Sequence, residues 1–181
     1  MSVHDSFMRL YIVVPCFNEA EALGECASVL RGVLLRLEAA GVTSSESRVL
    51  FVNDGSQDGT WARVAALHEA DTAFCGISLS RNFGQQAALL AGLTEAYAAG
   101  ADAVVTIDAD LQDDPAAIED MARIYAEGRA EIVRGVRSSR KVDCFLKRNS
   151  ANVFYAMMRF LGTGVVPGHA DFRLMGRRSL E

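Results

Sequence analysis

Val104-Val105-Thr106-Ile107-Asp108-Ala109-Asp110-Leu111-Gln112-Asp113-Asp114-Pro115 decides how this chain is read. An apolar, partly β-branched run ends abruptly in two carboxylates spaced i, i+2. In an extended segment that spacing puts both side chains on one face. Two adjacent acids repel unless a cation lies between them or one takes up a proton. At the carboxyl end of a strand in an α/β sheet they open into the crevice where ligands bind. The stretch therefore predicts a divalent-metal site holding a phosphate-bearing substrate.

Outward from it, strand and helix patterns alternate. Arg9–Val14 reads as a strand, followed by a helix through Leu23, Val29, Leu30, Val33, Leu34 and Leu37 that Gly41 stops. Val49–Asn53 and Phe74–Leu79 read as further strands, and Trp61–Ala70 and Gly84–Ala98 as helices. Ala103–Ile107 is the fourth strand, Pro115 opens a helix to about Glu127, and Ile132–Val136 is a short fifth strand. This rhythm predicts an α/β fold with a largely parallel sheet covered on both faces. From Val142 to Leu161 an apolar stripe at helical spacing carries Lys147, Arg148 and Arg159. It fits a packing helix or an interfacial helix lying on anionic lipid.

At 181 residues the chain predicts one domain with a substantial core. No uninterrupted apolar stretch reaches the roughly 18–20 residues of a membrane helix, and the N-terminus lacks a secretory-signal pattern. Cys16, Cys26, Cys75 and Cys144 are scattered without a C-x-x-C pair, which predicts reduced, mostly buried thiols. The net charge of −5 conceals an asymmetry. Residues 1–128 carry 7 basic and 19 acidic side chains, and residues 129–181 carry 11 and 4. Metal and nucleotide handling is expected upstream and anion binding downstream.

Two further strand ends carry acids. Val14-Pro15-Cys16-Phe17-Asn18-Glu19 is a strand end followed by an acid at a helix start, where Asn18 could serve as the helix cap and Glu19 as a first-turn acid. Val52-Asn53-Asp54-Gly55-Ser56-Gln57-Asp58-Gly59-Thr60 delivers Asp54 to a strand tip, where its carboxylate can accept hydrogen bonds from a base or ribose. The dinucleotide fingerprint G-x-G-x-x-G and the P-loop are both absent, so a diphosphate must be neutralised by metal and basic side chains.

These stretches, with Leu79-Ser80-Arg81-Asn82-Phe83-Gly84 and Asp171-Phe172-Arg173-Leu174-Met175, resemble the family 2 glycosyltransferases. Within them the chain is most similar to the polyprenyl-phosphate sugar transferases, such as dolichol-phosphate mannose synthase and bactoprenol-phosphate glucosyltransferase. The likeness runs from Val13 to Met175. It implies a GT-A fold over residues 1–181, with 1–114 as the nucleotide-sugar part and 115–181 as the acceptor-side part. It implies Pro15, Phe17, Glu19, Asp54 and Asp108 around the nucleotide, and Asp108, Asp110 and Gln112 at Mg²⁺ or Mn²⁺. It places Arg137 and Arg148 at phosphate groups, and Asp171, with Asp110, in catalysis near the acceptor. Asn53 stands where many relatives carry Asp, which leaves the nucleotide open.

The resemblance implies metal-dependent, inverting transfer from a nucleotide diphosphate sugar, UDP-glucose before GDP-mannose, to a polyprenyl phosphate. Nucleic acid is not an expected partner. The family usually continues into transmembrane helices, so this stretch is expected to act at the cytoplasmic face of the membrane as a catalytic domain without them. A nucleotide-sugar-binding module without turnover and a saccharide acceptor are the alternative readings. A haloacid-dehalogenase-type phosphohydrolase would carry its aspartate pair after the first strand rather than the fourth, and a nucleotidyltransferase would carry a glycine-rich N-terminal signature.

Overall fold

The computed structural model describes residues 7–135 and 172–180. The chain divides into two compact units, one formed by 1–134 with 171–181 and the other by 135–170. In the first, six strands form one sheet: β1 (Leu10–Cys16), β2 (Arg48–Asn53), β3 (Phe74–Ser78), β4 (Ala103–Thr106), β5 (Ile132–Arg134) and β6 (Arg173–Gly176). The helices are α1 (Leu23–Ala39), α2 (Thr60–Ala70), α3 (Gln85–Ala98) and α4 (Ala117–Ala126). The spatial order is β3-β2-β1-β4-β6-β5. β1, β2, β3 and β4 run parallel, and β6 is antiparallel to both β4 and β5. The α/β sheet flanked by helices expected from the strand–helix rhythm is thus present.

β1 and β2 read as near-continuous apolar runs because they are buried on both faces. α3 covers one face with small residues at every fourth position: Ala88, Gly92 and Ala96 are buried over Val13, Leu50, Val52 and Val104. α2 covers the other face at Gly76, where an added Cβ would strike Val64 and come within 3.2 Å of Trp61. α1 lies beside α2 and buries Leu23, Cys26, Ala27, Leu30, Val33, Leu34 and Leu37, one stripe of a 3.6-residue period.

Three sequence expectations are revised. Arg173–Gly176 was read as part of a motif and not as a strand, yet it is β6, inserted between β4 and β5. Four residues are too few to display a period, and only the pairing partners identify it. Asn18 does not cap α1, which begins at Leu23; Asn18 instead takes φ 56° in the connecting loop. β4 ends at Thr106, so Asp108 and Asp110 belong to a turn and not to an extended strand.

The decisive feature is where β1 and β4 part. Their ladder runs only from Leu10↔Ala103 to Val13↔Thr106, followed by one bond from Ile107 N to Val13 O (3.1 Å). Pro15 comes next on that side of β1, where no further partner requires an N–H, so a proline is tolerated in a central strand.

Helix propensity alone would make Gly92→Ala stabilising by about 1 kcal/mol. The new methyl, however, would meet Val13 and Val52, both fully buried and β-branched. Overpacking costs about 1–3 kcal/mol and dominates. Urea denaturation should show Gly92→Ala to be less stable than the parent chain.

Candidate active site

In an open parallel sheet, ligands bind beyond the carboxyl ends of the strands at the point where strand order reverses. Here that point lies between β1 and β4, with β2 and β3 on one side and β6 and β5 on the other. A cleft of about 340 Å³ opens there. The end of β1 supplies Pro15 and Cys16 and the loop after it Phe17 and Glu19; the residue after β2 is Asp54; the loop after β3 and the start of α3 supply Asn82, Gly84, Gln85 and Ala88; and the exit from β4 supplies Asp108, Ala109 and Asp110. Four of these are acids, and none of the described residues lining the cleft is basic.

The loops around the cleft are tied together by short polar side chains. Asn18 N donates to Ser56 Oγ (2.9 Å), and Gln57 N donates to Asn18 Oδ1 (2.9 Å). Glu19 N donates to Thr60 Oγ1 (2.9 Å), and Ala20 N to Asp58 Oδ2 (3.2 Å). The Thr60 hydroxyl and several backbone amides hold the Asp58 carboxyl below its usual range. Ser56, Asp58 and Thr60 therefore shape the wall of the cleft rather than line it. Asn53 is buried with its amide nitrogen on Ser78 Oγ (2.8 Å), which joins the tips of β2 and β3.

Asp54 is 3% exposed, and its two oxygens accept from Phe83 N (2.8 Å) and Gly84 N (2.9 Å). The sequence places this carboxylate near a base or ribose; in the fold it lines the cleft and also holds two backbone amides. Its first task is to seat the Ser80–Gly84 segment. Gly55, at φ 67°, completes the seat: a Cβ there would come within 2.5 Å of Arg81 Cα and Asn82 N. A non-glycine residue would have to bear both the left-handed backbone and that clash.

The acids of the β4 exit converge through a turn. Leu111 N closes it onto Asp108 O (3.3 Å), with Leu111 at φ 52°. A leucine in that region costs about 1–2 kcal/mol, and such strain is tolerated where the surroundings over-determine the backbone. Asp108 Oδ1 accepts from Gln85 Nε2 (2.8 Å). Asp110 is exposed and accepts from Gln112 N (3.2 Å) and Gln112 Nε2 (2.7 Å). Gln112, expected beside the metal, is thus a brace on Asp110 in this arrangement.

Among the described residues no group of three or more His, Cys, Asp or Glu is placed to hold a metal ion. The donors available at the cleft are hard carboxylates, which suit Mg²⁺ or Mn²⁺. A pair of them fits a cation that takes its remaining ligands from water and substrate phosphate. The thiols among the described residues offer no rival chemistry. Cys16, Cys26 and Cys75 are free, and burial pushes them up, to about 12 for Cys26 and about 11 for Cys75. They stay protonated near neutral pH, so Cys16 does not present a thiolate to the cleft. His68 is structural, with Nδ1 2.7 Å from Phe74 O.

Pro15, Phe17, Glu19, Asp54, Asp108 and Asp110 thus surround one cleft, with Gln112 against Asp110. Arg137, Arg148, Asp171 and the 142–161 stripe lie outside the described residues. A second depression, of about 460 Å³, shares Phe17 and Asn82 with the first and is lined also by Trp61 and Arg81. The Arg81 guanidinium stacks 4.9 Å from the Phe83 ring centroid. Sequence reasoning missed Gln85. The available signal was a polar side chain at the first position of a helix whose preceding loop already carried a motif.

Residues 11–181 match the family described as Glycosyl transferase family 2. The chain is 48% identical over 172 residues to the uncharacterised glycosyltransferase YkoT of Bacillus subtilis, covering 95% of this chain and 50% of that protein. It is 37% identical over 175 residues to the bactoprenol glucosyl transferase of Shigella phage SfV, covering 96% of this chain and 54% of that one. The chain thus spans about half the length of the curated relatives it matches. Among solved structures, its fold is similar to that of glucosyl-3-phosphoglycerate synthase from Mycobacterium tuberculosis in complex with Mn²⁺, UDP-glucose and phosphoglyceric acid. That match has a TM-score of 0.63 at 17% identity, covering 94% of this chain and 57% of that one. With its sheet, its parted strands and its family match in agreement, this chain belongs to glycosyl transferase family 2.

Proposed function

We propose that this chain carries the donor site of a metal-dependent, inverting sugar transferase that moves glucose from UDP-glucose to a polyprenyl phosphate. The observation that carries the donor site is the cleft at the parting of β1 and β4, walled by Glu19, Asp54, Asp108 and Asp110 with no basic side chain among its described lining residues. Such a cleft repels a diphosphate unless a cation accompanies it. The acceptor class is taken from the 37%-identical bactoprenol glucosyl transferase. Among the described residues no helix is long and apolar enough to cross a membrane.

Asp108 and Asp110 would hold Mg²⁺ or Mn²⁺. When bound, the ion supplies Lewis-acid stabilisation of the departing diphosphate. Phe17, 43% exposed at the mouth of the cleft, and Pro15 offer apolar surface to a base or ribose. Glu19 and Asn82 offer hydrogen-bonding groups from the lining of the cleft. The rigid loops that carry them hold the donor in one pose, which lowers the entropic part of the barrier.

Arg137 and Arg148 are proposed to grip phosphate oxygens through forked, charge-assisted bonds. A phosphate monoester has its second pKa near 6, so an acceptor of this class is already largely ionised at neutral pH. Strong general-base help is unnecessary, and Asp171 is proposed to orient the acceptor. A single in-line displacement inverts the anomeric centre.

UDP with Mn²⁺ should raise the melting temperature by about 5–10 °C at hundredfold saturation, more than GDP does, and EDTA should abolish the increment. No shift with either nucleotide would remove the donor-site reading. Asp110→Asn should lose the Mn²⁺-dependent increment while melting normally without ligand. In a glucosyl-transfer assay with a polyprenyl phosphate acceptor, the same change should cut transfer by more than about a hundredfold, equivalent to at least about 3 kcal/mol of lost charge stabilisation. Transfer at the parental rate would rule out the metal role of Asp110.

A further inference from the structure

We propose that Gln85 is a positioning residue that presets Asp108 for the cation and the diphosphate; this rests on the donor-site reading of the same cleft. Gln85 is the first residue of α3, and its Nε2 donates to Asp108 Oδ1 at 2.8 Å. Its own place is set from elsewhere. The preceding Gly84, at φ 91°, has its N–H on Asp54 Oδ2 (2.9 Å). A chain of contacts therefore runs from the tip of β2, through the start of α3, to the exit of β4. In the sheet β2 and β4 are not direct neighbours, since β1 lies between them and its ladder with β4 ends at Val13↔Thr106.

The chemistry suits the position. Asp108 shares its cleft with Glu19, Asp54 and Asp110, so its orientation before a cation arrives needs a donor. An amide donor aims the carboxylate while adding no charge that would compete with the cation. Carboxylates that ligate metals are themselves hydrogen-bonded, and loss of such an outer partner typically weakens metal binding. Asp110 has its counterpart in Gln112, but that brace is local, two residues along the chain. Gln85 is a brace from a distant part of the chain, 23 residues earlier. It is exposed, so substituting it leaves the core packing in place.

The test is a Mn²⁺ titration followed by electron paramagnetic resonance of the free ion, with saturating UDP and, in parallel, GDP. The chain is compared with Gln85→Ala, Gln85→Met and Asp108→Asn. Both Gln85 variants should bind Mn²⁺ about 10–100-fold more weakly. Their melting temperatures without nucleotide should stay within about 2 °C of the parent, as expected for exposed positions. Parental Mn²⁺ affinity in both Gln85 variants, with affinity lost in Asp108→Asn, overturns the role of Gln85 and leaves the donor site standing. Weakened affinity accompanied by an equal loss of thermal stability in both variants also overturns it, as an effect on folding. Parental affinity in Asp108→Asn, or no Mn²⁺ binding by the unmodified chain with either nucleotide, overturns both readings.

Discussion

The separation of β1 from β4 after Val13 and Thr106 is the constraint on which the rest of this structure depends. Up to that register, two buried apolar strands satisfy one another's backbone groups, and nothing can enter between them. Beyond it, Pro15 withholds an N–H, the chain after β4 turns at Asp108–Leu111, and the gap becomes a cleft. A ligand site placed here inherits the rigidity of the central sheet. Its walls are nonetheless loops, free to carry polar side chains that no strand interior would tolerate.

Electrostatics then limits what the cleft can do. Four carboxylates face one volume, and the nearby thiols are held protonated by burial. That arrangement disfavours anions and nucleophilic cysteine chemistry alike, and it favours a hard cation. The left-handed backbone at Leu111 belongs to the same picture. The tight turn leaves both acids lining the cleft, at a local backbone cost of about 1–2 kcal/mol.

Much of this was legible in the residues. Among the described residues, the alternation of strand and helix patterns located five of the six strands and all four α-helices within a few residues, because each carries a period long enough to read. The acids at 54, 108 and 110 were recognisable as strand-end residues, and they do meet at one cleft. What could not be read was the direction of the individual side chains. Asn18 and Asp54 look like a cap and a ligand contact in sequence, since Asn and Asp suit both. In the fold Asn18 bridges two loops and Asp54 carries the backbone of a third. β6 escaped notice because four residues hold no period, and its identity depends on partners about 40 and 70 residues earlier in the chain.

By itself the amino-acid sequence determined the α/β class, the order of the elements from β1 to β5 and the acidic character of the strand ends, since these follow from local hydrophobic periods and residue type. Only the tertiary structure decided that the acids share a single volume, that Gln85 reaches across the cleft to Asp108, and that Gly55 must lie flat against the Arg81–Asn82 backbone. The physical reason is that hydrogen bonds between loops are set by how the strands stack and where their ladders end. Those are properties of pairing between distant segments, and no single stretch of sequence contains them.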